Sequence, residues 1–327
     1  MALSGLFCDS ALDSAMRSMQ PAVSRADLGQ PAARPLRLLL ALDAAYEQMA
    51  AVAISSFLIH QRFESLWIVM PPGQELTRLQ AIAAAFGTPL HVVVIAAESP
   101  IWRLLPSVSP YFYCVEAIDQ VCRHREPFRG RYLYVDADTL CVAPLDDLAN
   151  LELDPQKPLA ACSHGRPMPD RQLILQLESG YHYFNAGVML FDADLLAPLF
   201  SAEVVVRTYE THQALCRFRE QCALNLLLRD RVQYLPNQFN LLSWMRARAS
   251  HHQWHDLGAN PMAYVLPHVR EQVVIAHLSA GALPPRLAQD RLEALDHYWL
   301  RLAAVLEGGA DASVLSRFPA YSDQADG

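Results

Sequence analysis

Apolar positions along the chain fall into a repeating order. Leu36-Arg37-Leu38-Leu39-Leu40-Ala41-Leu42 is a short apolar run stopped by Asp43, which predicts a buried strand. From Tyr46 to Gln61 the apolar spacing becomes helical, with Met49, Val52, Ala53 and Phe57 on one face. Residues 66–70 predict a second strand ended by Pro71-Pro72, residues 75–86 a helix closed by Gly87, and residues 90–95 a third strand. This alternation predicts an α/β fold, a mixed but mostly parallel sheet with helices on both faces. Further on, residues 109–123 and 219–228 predict helices. The apolar run from Arg131 up to Asp136, and residues 158–162, 183–192, 232–235 and 272–276, predict strands, and residues 290–306 an amphipathic C-terminal helical segment. Residues 1–34 lack sustained periodicity and are expected to be a poorly ordered leader, with a short helix near 12–19. One domain is expected over 35–307, followed by a frayed tail over 308–327.

The chemistry begins at Arg131-Tyr132-Leu133-Tyr134-Val135-Asp136-Ala137-Asp138-Thr139. Asp136 and Asp138 fall at or just past the carboxyl end of a strand, where open α/β sheets bind ligands. Two carboxylates this close repel each other unless a cation lies between them, and hard oxygen donors suit Mg²⁺ or Mn²⁺. Right-handed crossovers bring the strand ends to one edge, so Asp43 and Asp136 can face a single crevice. A plain strand end followed by an Asp-rich turn is the alternative. An Asp-x-Asp-x-Thr motif also resembles the nucleophile of haloacid-dehalogenase-like phosphatases, but that chemistry wants a downstream lysine, and Lys157 is the only lysine in the chain.

Composition narrows the class. With 327 residues, 52% of them hydrophobic, the chain can bury a large core. A net charge of −8 with 18% charged residues argues against a nucleic-acid binder. The seven cysteines are scattered, odd in number and form no Cys-x-x-Cys pair, which suits a reducing compartment. No apolar run is long enough to span a bilayer. The expected location is cytoplasmic, with peripheral association at the inner membrane face as an option.

Five stretches then occur in the order seen in family 8 glycosyltransferases: Ala41-Leu42-Asp43-Ala44-Ala45-Tyr46, Leu133 through Thr139, Tyr183-Phe184-Asn185-Ala186-Gly187-Val188-Met189-Leu190, Glu220-Gln221-Cys222-Ala223-Leu224-Asn225, and His277-Leu278-Ser279. The chain resembles that family from about Leu36 to Pro285. The resemblance implies a GT-A fold and transfer of a hexose from a UDP-sugar, with retention at the anomeric carbon, to a glycan, lipid-linked or protein acceptor in polysaccharide biosynthesis. It implies that Asp136, Asp138 and His277 hold Mn²⁺ or Mg²⁺. Ala41, Asp43, Tyr46, Ala137 and Ala186 would line the donor site, with Asp43 meeting the uracil N–H and Tyr46 stacking on the ring. Asp43 could equally cap the following helix. Asn185 would lie beside the donor sugar. Gln221 would sit near the anomeric carbon and steady positive charge through its amide oxygen, with Glu220 as the fallback nucleophile.

Departures from the family pattern are specific. Glu220 and Cys222 stand where the family has aspartates flanking Gln221, and His164 falls near where an aspartate often follows the central strand. Leu283 replaces the lysine that meets the pyrophosphate, Ala280 replaces a glycine, and no arginine occurs around Tyr111–Val115. Arg286 is the candidate replacement cation. The His251-His252-Gln253-Trp254-His255 cluster reads as a solvated loop or acceptor surface. These changes leave a second reading: a catalytically weak nucleotide-sugar-binding relative with a scaffolding or regulatory role.

Overall fold

The computed structural model describes residues 35–123, 129–164, 183–243, 245, 273–278, 284, 294–308, 312–315 and 318. The strands in chain order are β1 (Leu36–Ala41), β2 (Leu66–Met70), β3 (Leu90–Val94), β4 (Arg131–Val135), β5 (Thr139–Cys141), β6 (Leu159–Ser163), β7 (Phe184–Asp192), β8 (Val232–Leu235), β9 (Leu241–Leu242) and β10 (Ile275–His277). Seven of them form one sheet in the order β3-β2-β1-β4-β7-β6-β8. The pairs β1–β2, β2–β3, β1–β4 and β6–β8 are parallel, while β7 runs antiparallel to both β4 and β6. This is the mixed, mostly parallel sheet that the alternation of elements predicts.

Both faces of the sheet are covered. Leu38 and Leu40 of β1 enter one core, and Leu39 enters the other, as the two-residue period of a strand requires. The first core packs under the helices Glu47–His60, Thr77–Ala85 and Ala294–Glu307; the second packs under Tyr113–Arg123, Ala202–His212 and Arg219–Leu227. Gly87 has φ +59, the left-handed turn expected of a glycine that closes a helix.

Several expectations are corrected. The Glu47–His60 helix is buried nearly all round, not on one face, because it lies between the sheet and the Ala294–Glu307 helix. A turn of 3-10 helix, Ala44–Tyr46, precedes it. The central strand ends at Val135, just before Asp136 as expected, and the unexpected Thr139–Cys141 strand joins a second sheet in the order β5-β10-β9. The strand expected at 272–276 is β10, displaced to Ile275–His277, where it serves that small sheet rather than the main one. Past Gly308, Leu315 and Phe318 are buried, and the Phe318 ring lies 5.6 Å from that of Tyr298. The part of the expected tail that is described therefore packs on the core, since its apolar residues have a helix face to meet. The expected helix near 12–19 lies outside the described residues.

Candidate active site

The site forms where the sheet reverses direction. β1 and β4 run parallel and end side by side, while β7 starts beside the end of β4, with Val135 opposite Val188 and the Asp136 amide bonded to the Gly187 carbonyl at 2.8 Å. Strand ends at such a reversal leave a crevice. Here it is a cleft of about 460 Å³ lined by Ala41, Asp43 and Tyr46 after β1, Asp136, Ala137 and Asp138 after β4, Ala186 and Gly187 from β7, and Glu220 and Gln221 from the Arg219–Leu227 helix. Pro110, Tyr111, Tyr113, Cys114 and Tyr134 complete much of its wall.

Small-sheet pairing brings a third donor group to the two carboxylates. His277 sits opposite Thr139 in the β5–β10 pair, and the Leu278 amide bonds the Asp138 carbonyl at 2.9 Å. That register brings His277 Nε2 within 3.2 Å of Asp138 Oδ1 and 3.8 Å of Asp136 Oδ2. One donor atom from each of Asp136, Asp138 and His277 lies within 4.8 Å of the others. Two carboxylate oxygens and one imidazole nitrogen suit Mn²⁺ or Mg²⁺, the histidine inclining the set toward Mn²⁺.

The electrostatics show what the three groups do without a cation. Burial pushes Asp136 up to about 6, with the Asp138 charge adding to it and His277 and the Tyr134 hydroxyl opposing. For Asp138 burial pushes the same way, but the charge and hydrogen bond of His277 overcome it and hold the carboxyl below its usual range. Burial works against a protonated His277, yet Asp138 and then Asp136 outweigh it and hold the imidazole above its ordinary value. A proton shared among crowded ligands is what a divalent cation displaces.

Gly187 makes this crowding possible. A Cβ at that position would overlap His277 Cε1 and lie 2.7 Å from Asp136 Oδ2 and 2.8 Å from His277 Nδ1. The close backbone approach expected at Gly187 is an approach to the Asp136 and His277 side chains.

Beside the cluster, Gln221 and Asn185 are tied together. Gln221 Oε1 accepts from Asn185 Nδ2 at 3.0 Å and from the Ala186 amide at 3.1 Å. Both acceptor positions of that oxygen are thereby filled, so the charge-steadying role expected of it does not match the geometry. Its amide nitrogen is turned toward the Tyr183 hydroxyl. Glu220 lines the cleft with its Oε2 buried and without a hydrogen-bond partner. Burial, with Asp136 adding, holds its carboxyl well above the usual range, a poor condition for a nucleophile. Cys222 points away into the core, where its sulfur accepts from the Tyr183 hydroxyl at 3.1 Å and the Phe218 amide at 3.3 Å.

Among the expected donor residues, Asp43 accepts from the Ala45 amide at 2.9 Å, so it caps the short helix while also facing the cleft. Tyr46 lines the cleft and is 44% exposed. His164 packs near the Tyr183 and Phe218 rings rather than on the cleft wall. Arg286, Leu283, Ala280 and the histidines at 251–255 lie outside the described residues. Sequence reasoning missed Tyr134, whose hydroxyl donates to Asp136 Oδ1 at 2.8 Å; the i, i+2 spacing on one strand was the available signal. It also missed Arg219, whose guanidinium lies 3.9 Å from the Tyr111 ring centroid and whose φ is +42.

The sheet with its reversed strand, and a carboxylate pair at the strand end, give the GT-A fold. Residues 128–277, a little under half of the chain, match the model of glycosyl transferase family 8, and this match supports glycosyl transfer as the function. The match takes in Asp136, Asp138, Asn185, Gln221 and His277, and starts well after the Ala41–Tyr46 stretch. No curated protein sequence matches the chain significantly. Among solved structures, the galactosyltransferase LgtC in complex with donor and acceptor sugar analogs superposes with a TM-score of 0.63 at 18% identity, covering 82% of this chain and 95% of LgtC. LgtC has also been solved as an active-site glutamine-to-glutamate mutant, with a TM-score of 0.64 at 20% identity and the same coverage. The glycosyltransferase GlyE of Streptococcus pneumoniae TIGR4 gives 0.55 at 19% identity over 88% of this chain and 66% of GlyE. No helix among the described residues is long and apolar enough to cross a membrane.

Proposed function

We propose that this chain is a metal-dependent, retaining hexosyltransferase that uses a UDP-sugar and delivers the sugar to an acceptor hydroxyl. The observation that carries the reading is the convergence of Asp136, Asp138 and His277 at the carboxyl edge of the sheet, beside Gln221 and Asn185. The active-site glutamine of LgtC supports a functional role for Gln221. Asp43 and Tyr46 at the far end of the cleft suit a base and its ring face.

A divalent cation held by Asp136, Asp138 and His277 supplies positive charge for the departing diphosphate. The protein's own groups do the rest. Gln221 and Asn185, tied to each other, fix the sugar-side wall. Glu220, whose carboxyl burial holds well above its usual range, lines the same part of the cleft. Cys222 is turned into the core and burial works against an ionised Glu220, so neither suits the part of nucleophile in a double displacement. The reading is a front-side substitution: the acceptor oxygen bonds the anomeric carbon as the bond to phosphate breaks on the same face, and the acceptor proton passes to the departing phosphate oxygen. Product and donor then share one anomeric configuration. Proton NMR of the first-formed product tests this, and an inverted anomer overturns the mechanism.

The lining carries Asp43, Asp136, Asp138 and Glu220, with no lysine or arginine among the described lining residues. A diphosphate entering such a cleft needs more positive charge than one cation brings. Arg219 supplies it in this reading: it is stacked on the lining residue Tyr111, its N–H edge is available for phosphate, and its left-handed backbone is the kind of strain kept at functional positions. Arg219→Ala is expected to weaken UDP binding about tenfold, roughly 1.5 kcal/mol for a hydrogen bond to a charged group. Calorimetry with saturating Mn²⁺ checks it, and unchanged affinity assigns the phosphate charge elsewhere.

A further inference from the structure

Resting on that reading of the site, a buried residue outside the cleft wall joins its two halves. Asn240 is fully buried. Its place is fixed by the backbone: its amide bonds the Asn237 carbonyl at 3.0 Å, and it immediately precedes β9, which pairs in parallel with β10 and sets Leu242 opposite His277. Its side-chain amide lies between His277 and Asn185. Asn240 Oδ1 is 3.1 Å from His277 Nδ1, and Asn240 Nδ2 donates to Asn185 Oδ1 at 2.8 Å.

The direction of every bond in this chain is set by two donors that cannot be reversed. The Gly187 amide donates to Asn185 at 2.9 Å and the Ala186 amide donates to Gln221 at 3.1 Å. Each must meet an oxygen, so Asn185 Oδ1 and Gln221 Oε1 are identified as acceptors. The Asn185 group facing Gln221 is then Nδ2, and the Asn240 group facing Asn185 Oδ1 is also Nδ2. That leaves Asn240 Oδ1 toward His277, an acceptor that can only receive a proton from Nδ1. A histidine protonated at Nδ1 offers the lone pair of Nε2, the atom that faces Asp136 and Asp138.

We propose that Asn240 is a positioning residue with two separable tasks: its oxygen fixes the Nδ1–H tautomer of His277 for metal binding, and its nitrogen holds Asn185, and through it Gln221, in place for transfer. A run of bonds whose polarity starts at two backbone amides and ends at a metal ligand ties cation loading to placement of the glutamine. Partners of this kind orient ligating histidines and tune their basicity.

Two substitutions separate the tasks. Asn240→Asp keeps an acceptor for His277 Nδ1 but loses the donor to Asn185; Asn240→Leu loses both. The readouts are Mn²⁺ affinity by calorimetry in the absence of donor and acceptor, turnover of the UDP-sugar, and melting temperature. Asn240→Leu is expected to bind Mn²⁺ about ten- to a hundredfold more weakly than wild type. Asn240→Asp is expected to hold Mn²⁺ within about threefold of wild type while turnover falls at least about tenfold. Nitrogen NMR of the Mg²⁺-loaded wild type reads the tautomer directly and needs no variant to fold; a proton on Nε2 overturns the proposal. So does equal Mn²⁺ affinity in wild type and Asn240→Leu, or full turnover in Asn240→Asp. A wild type that binds no divalent cation instead sinks the metal-dependent reading on which the proposal rests.

Discussion

Gly187→Ala is expected to abolish divalent-metal binding in a protein that still folds. The cause is space alone. The Gly187 backbone lies outside the left-handed region, so an alanine meets no conformational strain there, but its methyl group would overlap His277 Cε1 and press on Asp136 Oδ2 and His277 Nδ1. The backbone of β7 cannot retreat, because Val188 and Met189 are in register with Val135 and Tyr134 of the central strand. His277 has to leave, and with it the third ligand. Losing even an outer-shell partner costs roughly ten- to a hundredfold in metal affinity, so loss of the ligand itself is expected to exceed about a hundredfold. Overpacking of this kind costs stability by about 1–3 kcal/mol. Gly87→Ala is the contrast: φ there is +59 and nothing lies within 4 Å of the added methyl. That variant should lose about 1 kcal/mol from backbone strain and keep full Mn²⁺ affinity. Calorimetry and melting curves on both variants check the pair. Wild-type metal affinity in Gly187→Ala would mean that His277 is not a ligand.

The contrast between those two glycines shows which parts of this protein are legible in sequence. Gly87 is readable because its reason is local, the end of a helical pattern. Gly187 is readable only as a close approach of unnamed atoms, since its partner His277 arrives from a strand 90 positions along the chain, counted from the two residue numbers. The central strand and its carboxylates were plain, because apolar residues running into Asp-x-Asp express one local rule. The small sheet was not. β9 has two residues and β5 and β10 three each, too short for any alternation to register, yet that sheet sets His277 against Asp138. Asn240 carried no signal at all: a buried asparagine before a two-residue strand looks like any loop asparagine. Gln221 was singled out through its family motif, but how its amide is engaged depends on the Ala186 amide and the orientation of Asn185, and those are properties of packing. Cys222 shows the same limit. Its place in the motif suggested a weakened site, whereas the structure turns it into the core against Tyr183.

Asp136→Asn is expected to stabilise the metal-free protein at neutral pH while removing its metal affinity. The sign follows from the carboxyl itself. Burial, with the Asp138 charge adding, pushes Asp136 up to about 6 in the folded protein, against about 4 in an unfolded chain. A raised carboxyl binds its proton more tightly when folded, so its ionised form works against folding above about pH 6. As pH falls through 6 toward 4 the folded wild type takes up the proton first and the handicap disappears. Asparagine never carries it. The side chain still has 39% of its surface open to the cleft, and water there screens the repulsion, so the gain at pH 7.5 is expected to be only about 1 kcal/mol, or roughly 2 °C in melting temperature. The Tyr134 hydroxyl, now bonded to Asp136 Oδ1 at 2.8 Å, keeps an acceptor in the asparagine. Adding Mn²⁺ should reverse the order, because a ligand that binds only the folded wild type raises its stability with concentration and leaves the variant unchanged. Melting curves at pH 7.5 and pH 4.5, each with and without Mn²⁺, give the full test. A variant less stable than wild type in metal-free buffer at pH 7.5, or one that Mn²⁺ still stabilises, would show that Asp136 is not a strained ligand waiting for a cation.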